Sequence, residues 1–548
     1  MKKSKLGLLL SVIMLVVILG SMMACSKSET TITPTPTSSA TQTQTPTPSA
    51  AQTQTPLYGG TLKWVRNVGP LMLGAPADLK GWAEVGPLWP VMNPLFSVDV
   101  KGNVATDPPA LTESYEIAPD GKTITLHLRK GIKFQDGTDF NADAVKYNLE
   151  QDVANNAYGS AVLKKVTSYD VVDTNTLRIN LGQYDCTLLR KLAQTTIAFI
   201  ASPTAMKKQT TPENMAKDHM VGTGAFKLDS FVRDQVIKYV KWDGYWEKGK
   251  PYVDAIEYRI NTDVTTSIMS LKAGEVNMVD NVDPVDGVAL ANQGYQVNKA
   301  VSGGGIFNLV PDSANPDSPY AKLEVRQALE YALDRVSMAE GIGKGSFVPV
   351  YQVGGWAGEP AYNPNLTPRE YNVQKAKDLL KQAGYPNGFD YPIISDVRLR
   401  QDQLVAIQTN LRDVGITGTL DVADPTRFTS LQTKGWKGLL IPGLPYMSFF
   451  SGVLGRLYDP VLTYPSQTQP AGWIDKVNAV LSQTDPAKAV SGAQDLGKMI
   501  YDQALIIPVV ADCGGRSALD GTIIGMDWQG HATLSYWNPQ NTWIKPKK

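Results

Sequence analysis

The side chains best suited to chemistry are few in this chain and stand far apart. Its three histidines, His127, His219 and His531, share no helical or strand spacing, and no H-E-x-x-H, G-x-S-x-G, C-x-x-C or Walker sequence occurs. A metal site built from them is not expected. Val221-Gly222-Thr223-Gly224-Ala225-Phe226 carries two glycines of a phosphate loop but neither the third nor a Lys-Ser/Thr pair at the required spacing. No cofactor is expected. Paired carboxylates for glycoside hydrolysis stay open, because their separation in space decides that chemistry. A lipid-anchored extracytoplasmic hydrolase is therefore the alternative class to a binding protein.

Of the three cysteines, Cys25 stands where a chemical role is legible. Lys2, Lys3 and Lys5 precede an apolar run from Leu6 to Leu19, too short for a comfortable membrane span and followed by small and polar residues. That is the pattern of a signal peptide over residues 1–24. Ala24-Cys25 closes it as a lipoprotein processing site would, with Met22 where Leu is commoner, so Cys25 is the expected lipid-attachment residue. Simple cleavage, leaving a secreted protein with a free thiol, is the other reading. Cys186 and Cys513 are far apart in sequence, and both a disulfide and two buried thiols stay open.

The elements that would position any site begin after a tether. Residues 25–56 are rich in Thr, Pro, Ser and Gln, with only Lys27 and Glu29 charged, too polar to fold and long enough to reach about 30 Å as a coil. The whole chain, 548 residues with 43% hydrophobic and 19% charged side chains, has room for two or three lobes of ordinary globular composition. Fifty-two basic and fifty-two acidic side chains balance, so no nucleic-acid partner is expected.

Leu111 to Glu150 is the most structured stretch on local grounds. Pro119-Asp120-Gly121 separates Tyr115–Ile117 from the alternating Ile124, Leu126 and Leu128, a hairpin with one buried face from which His127 points away. Asp136-Gly137 makes a second turn, and Asn141 caps a helix whose Val145 and Leu149 share a face. The segment LTESYEIAPDGKTITLHLRKGIKFQDGTDFNADAVKYNLE resembles the signature of the family 5 extracytoplasmic solute-binding proteins, the peptide- and nickel-binding group that feeds ABC transporters.

Further segments carry the same resemblance in the same order. They are the VGTGAF segment at Val221–Phe226, Trp242-Asp243-Gly244-Tyr245-Trp246, LKAGEVNMV at Leu271–Val279, and LEVRQALEYALDRVSM at Leu323–Met338. The last reads as one amphipathic helix, with Leu329, Ala332, Leu333 and Val336 on a stripe and Arg326 and Glu330 on a charged flank. Asn372 caps another helix that Gly384 closes, Gln403 to Gly415 reads as a helix before a strand at Thr417–Val422, and Ala504–Val510 reads as a buried strand.

The resemblance implies an α/β, two-lobed periplasmic-binding-protein-like fold of the type II, cluster C kind, with an extra inserted subdomain and a hinge between lobes. Lobe I would comprise 57–99, 224–302 and 516–548, the inserted subdomain 100–223, and lobe III 303–515, with hinge segments near Gly224 and Gly303. It implies a monomer that is not an enzyme, partnered by an ABC permease and ATPase. It also implies a Cys25 bearing several acyl chains, enough to hold the protein on an extracytoplasmic membrane surface.

The ligand would be a peptide or similar organic solute in the interlobe cleft, contacted by Trp82, Trp89, Trp436, Tyr446 and Phe449. Packing in a core is the competing role for these aromatics. Peptide-binding relatives would place an Asp near Lys437–Gly455 against the peptide ammonium, yet no Asp or Glu lies between Arg427 and Asp459. Burying an ammonium without a carboxylate is costly, which brings an oligosaccharide or other uncharged solute close behind peptide; Asp424 is a substitute anchor to examine. A nickel chelate ranks below both, because the third lobe offers no histidine.

Overall fold

In a computed structural model, the described residues are 55–81, 83–99, 103–298, 305–397, 399–445, 464–512, 517–526 and 537–546. Pro56–Lys548 forms a unit of its own. Strand β1 (Thr61–Arg66) opens it, and β2 (Thr112–Ile117) and β3 (Thr123–Leu128) follow as the expected hairpin. The turn closes with the Gly121 N–H donating to Ala118 O at 2.8 Å, and Gly121 takes the positive φ, +68°, that favours glycine. Asn141 caps the Ala142–Ala154 helix by accepting from the Ala144 N–H at 2.9 Å. A second hairpin, β4 (Val166–Asp173) and β5 (Thr176–Leu181), completes a four-stranded sheet in the order β2-β3-β5-β4.

The chain then joins β1 through β6 (Phe226–Val232), β7 (Val236–Lys241), β8 (Ala255–Ile260), β9 (Met278–Val279) and β10 (Gln296–Asn298). A different sheet collects β11 (Gly305–Pro311), β12 (Phe347–Pro349), β13 (Ile393–Asp396), β14 (Leu420–Ala423), β15 (Leu439–Ile441), β16 (Gly443–Pro445) and β17 (Ile507–Asp512). Finally β18 (Ser517–Leu519) returns to the first sheet, whose order is β10-β18-β9-β1-β8-β7-β6. The other sheet runs β12-β17-β11-β15-β13-β14, with β16 also on β11.

Packing groups these sheets into two bodies. One continuous core joins Leu62 and Trp64 of the first sheet to Ile124, Leu126 and Leu149 of the inserted hairpins and helix. Separate cores around Leu309, Leu329 and Ile407, and around Val310, Trp436 and Leu496, serve the β11–β17 sheet. The architecture is therefore two-lobed α/β. The recognisable segments turn out to be scaffold that holds the first body together. The Gln135 amide donates to Gly224 O at 3.1 Å and Phe226 O at 2.7 Å, and Asn93 Oδ1 accepts from Thr223 at 3.1 Å and from the Trp246 indole at 2.9 Å.

Three local expectations change. Leu323–Met338 is two helices, Leu323–Ala332 and Arg335–Gly341, because Leu333 is extended (ψ 114°) and Asp334 starts a new helix by capping the Ser337 N–H at 3.0 Å. Val336 thus leaves the buried stripe and is 48% exposed. Arg326 and Glu330 are buried rather than a surface flank: Arg326 donates to the carbonyls of Tyr320, Ala321 and Gln503, and Glu330 pairs with Arg369. Gly224 is no passage between bodies, since it lies inside the first body against the backbone of Val91.

Candidate functional site

Topology places the site before any side chain is considered. Strands β8 and β9 run parallel to β1, so Arg66, Ile260 and Val279 finish at one edge of the first sheet. Asn298, where the chain leaves, pairs with Ser517, where it returns, and Ser517 leads into the Ala518–Val279 pairing at that same edge. In the other sheet β14 and β15 run parallel to β13, while Pro445 at the end of β16 pairs with Gly305 and Ile306 with Ala511. Asn298 and Ser517 in the first sheet, and Gly305 and Asp512 in the other, therefore all lie at the edges at which parallel strands finish. In open α/β sheets that is the edge where ligands bind.

The two bodies touch at this level. Arg400, after β13, forms an ion pair with Asp283, after β9, and with Asp402 at 2.7 Å. At the inserted hairpins, the Cys186 N–H donates to Leu481 O at 2.8 Å, at the end of the Trp473–Leu481 helix, and Cys186 Sγ lies 3.8 Å from Val480 O. Cys186 is a free thiol whose burial pushes its pKa up to about 12. Cys513 lies outside the described residues.

The first body presents Arg66 and Asp280 at the strand ends, 5% and 1% exposed. Arg66 Cζ sits 5.7 Å and 5.5 Å from the ring centroids of Trp64 and Tyr258, and Nε lies 3.5 Å from Asp280 Oδ2. Asp280 Oδ1 accepts the Trp64 indole N–H at 2.6 Å and the Ser517 O–H at 3.3 Å. The loop after β1 closes over this cluster. Tyr239 donates to Pro87 O at 3.0 Å, and a Cβ on Gly86 would lie 2.8 Å from Arg66 Nη1. Glu84 in that loop is 2% exposed and accepts the Leu71 N–H at 3.3 Å.

Burial raises the Asp280 carboxyl from 3.8 to about 6, with Arg66, Trp64 and Ser517 opposing the rise. The folded state thus binds this proton more tightly than the unfolded chain. Its stabilising contribution is complete below 3.8 and is lost as pH climbs through about 6. Two pH units correspond to roughly 3 kcal/mol. Urea unfolding at pH 4 and pH 7 is expected to show that difference shrink in Asp280→Asn; an identical pH profile in both proteins refutes the assignment.

In the other body, Asp396 ends β13 and is 4% exposed, and the enclosed Ser395 Oγ and Gln403 amide have no hydrogen-bond partner among the described residues. None of these, nor Arg66 or Asp280, stands in a motif. The one available signal was a charged residue directly after a short apolar strand.

The sequence-selected residues fall differently. Trp89 is 3% exposed, in the first body's core and edge-to-face with Phe199 at 5.1 Å; Trp436 is 5% exposed, in a core and edge-to-face with Tyr464 at 5.6 Å. Packing is what the structure shows for both. Cys25, Trp82, Tyr446, Phe449 and His531 lie outside the described residues. Asp424 caps the Pro425–Lys434 helix by accepting from Thr426 and Arg427 N–H groups, so its carboxylate is already engaged. His219 sits between Asp78, 3.1 Å from Nδ1, and Lys208 O, 3.0 Å from Nε2. Among the described residues no cluster of three or more His, Cys, Asp or Glu could hold a metal, and no helix is long and apolar enough to cross a membrane.

Known proteins share both sequence and architecture with this chain. Glutathione-binding protein GsiB of Shigella flexneri is 33% identical over 332 residues, 60% of this chain and 63% of the relative, so the match spans less than two thirds of that protein's length. The ABC transporter-associated periplasmic binding protein DppA from Helicobacter pylori, solved with the peptide STSA, superposes with a TM-score of 0.72 at 20% identity, covering 89% of this chain and 99% of its own. NikA from Brucella suis, solved with Fe(III)-EDTA, gives 0.74 at 20% identity, covering 87% and 99%. These structures share the fold. Residues 108–448 match the sequence profile described as bacterial extracellular solute-binding proteins, family 5 Middle, and this chain belongs to that family.

Proposed function

We propose that this chain captures a peptide-like organic solute between its two bodies and delivers it to an ABC permease and its ATPase. It would do so outside the cytoplasm, as a monomer held to the membrane by lipidated Cys25, without altering the solute. The observation that carries this reading is the convergence of both strand-end edges on one interbody region, closed by the Arg400–Asp283 and Cys186–Leu481 contacts. A solute touching both bodies shifts them toward the shut arrangement by its differential affinity for it. The proposed domain limits are 57–99, 224–302 and 516–548 for lobe I, 100–223 for the inserted subdomain and 303–515 for lobe III. Trp82, Tyr446 and Phe449 remain proposed apolar contacts.

A thermal-shift screen of the purified chain tests this against free-amino peptides, glutathione, neutral oligosaccharides and nickel chelates. A peptide at a hundredfold excess over Kd is expected to stabilise by about 2.7 kcal/mol and to be recovered intact. Stabilisation by oligosaccharide alone would install the neutral-solute reading, and consumption of the solute the hydrolase. Closure has its own readout. In a Cys25→Ala, Cys513→Ser background, saturating solute is expected to slow labelling of the Cys186 thiol by about tenfold, because opening frees it from Leu481. Unchanged labelling in the presence of a bound solute would show that the inserted hairpins take no part in closure.

A further inference from the structure

We propose that Arg66 holds a carboxylate of the bound solute, making the first body the site's anion-binding side. This rests on the reading of the interbody region as the solute site. Arg66 is the last residue of β1, at the edge where Val279, Asn298 and Ser517 also lie, and is 5% exposed. A guanidinium carries five N–H donors and no acceptor, and burying it is costly unless those donors are met.

Among the described residues they are not met. Nε is enclosed without a hydrogen bond, and Nη1 and Nη2 have no hydrogen-bonded partner among the described residues. The neighbouring carboxylate, Asp280, has its Oδ2 3.5 Å from Nε, and its other oxygen is taken by Trp64 and Ser517. A structural ion pair would present the fork of the guanidinium to the carboxylate with two short bonds. Here no such bond pair forms, and Nη1 and Nη2 lie beside Gly86, where a Cβ would come within 2.8 Å and 3.0 Å of them.

The position is also held rigidly. The rings of Trp64 and Tyr258 flank the guanidinium, and the indole of Trp537 packs on Trp64 at 5.4 Å. A planar, fixed fork whose outer nitrogens have no hydrogen-bonded partner among the described residues is matched by a carboxylate in bidentate contact, such as a peptide's terminal group. Asp280 then keeps Arg66 oriented rather than serving as its sole counter-charge.

The test uses N-acetylglycine and N-acetylglycinamide, equal in size and differing in charge, titrated into the full chain at constant ionic strength with tryptophan fluorescence as the signal. The acid is expected to bind at least about tenfold more tightly than the amide. Arg66→Gln should abolish that preference, while Asp280→Asn, which loosens the fork without removing it, should weaken it less. Equal affinities in the wild type, no binding of the acid, or loss of the preference in Asp280→Asn as large as in Arg66→Gln each overturns the proposal. Should Arg66→Gln fail to fold by circular dichroism, Arg66→Lys is read instead, and a preference undiminished there overturns it too. If peptides bind while acid and amide are equal, this inference fails alone. If the acid binds through Arg66 and no peptide binds, the peptide reading fails and this one stands.

Discussion

Gly224→Ala is expected to destabilise the first body by about 3 kcal/mol, enough to lower the yield of folded protein. A Cβ at Gly224 would lie 2.5 Å from Val91 C, 2.6 Å from Pro90 O and 2.7 Å from Met92 N, all backbone atoms with nowhere to go. The strain would fall on bonds that fix this junction, the Gly224 N–H to Val91 O and the Phe226 N–H to Pro90 O, each 2.8 Å. The Gln135 amide adds donors to the carbonyls of Gly224 and Phe226 from the conspicuous hairpin-and-helix stretch. Urea unfolding followed by tryptophan fluorescence measures the change. A loss under about 1 kcal/mol would mean that Val91 and Met92 yield, and that the junction is softer than its contacts indicate. The glycine is thus required for close packing.

Arg369→Ala is expected to cost the β11–β17 body about 3–5 kcal/mol at pH 7, the range for stranding one member of a buried ion pair. Glu330 is 2% exposed and its carboxylate pairs with Arg369. Arg369 also donates to Tyr501 O at 2.8 Å and lies 4.0 Å over the Tyr501 ring, while Arg335 donates to Pro508 O and Glu330 O at 2.8 Å. One small network therefore ties three helices, Leu323–Ala332, Arg335–Gly341 and Pro486–Asp502, to β17. Burial already raises the Glu330 carboxyl, with Arg369 and Arg335 opposing the rise. Removing Arg369 removes an opposing charge, so the raised value climbs further. A raised acid is stabilising below its unfolded value and loses that contribution as pH rises through the folded one, so the variant's deficit should shrink on acidification. Urea midpoints at pH 7 and pH 4.5 check this; a deficit independent of pH would attribute the loss to the carbonyl and ring contacts alone. Replacing both Glu330 and Arg369 by Leu should recover most of the stability, since an apolar pair leaves no stranded charge.

What the sequence determined is what neighbouring residues decide among themselves. The Pro119-Asp120-Gly121 turn, the alternation of Ile124, Leu126 and Leu128, and the Asn141 and Asn372 caps are local in period and chemistry, and each forms as read. Family membership was legible for a related reason: Gln135, Thr223 and Trp246 lie in recognisable segments because they bond to one another's surroundings inside one core. Helix continuity through Leu333 was misread, since propensity and spacing carry no signal for a break that Asp334 makes by capping the next turn. The aromatics were ambiguous in principle, because a large apolar ring looks the same in sequence whether it fills a core, as Trp89 and Trp436 do, or faces a ligand.

Only tertiary structure decided the site. Arg66, Asp280 and Ser517 share no motif and come from three distant strands; parallel pairing of β9 with β1 and the return of β18 beside it bring their side chains together. Asp396 reaches the facing edge because β13, β14 and β15 all finish there. Strand register and the edge at which each strand finishes are properties of the whole chain, set by which faces can be buried together, and no local pattern of residues encodes them.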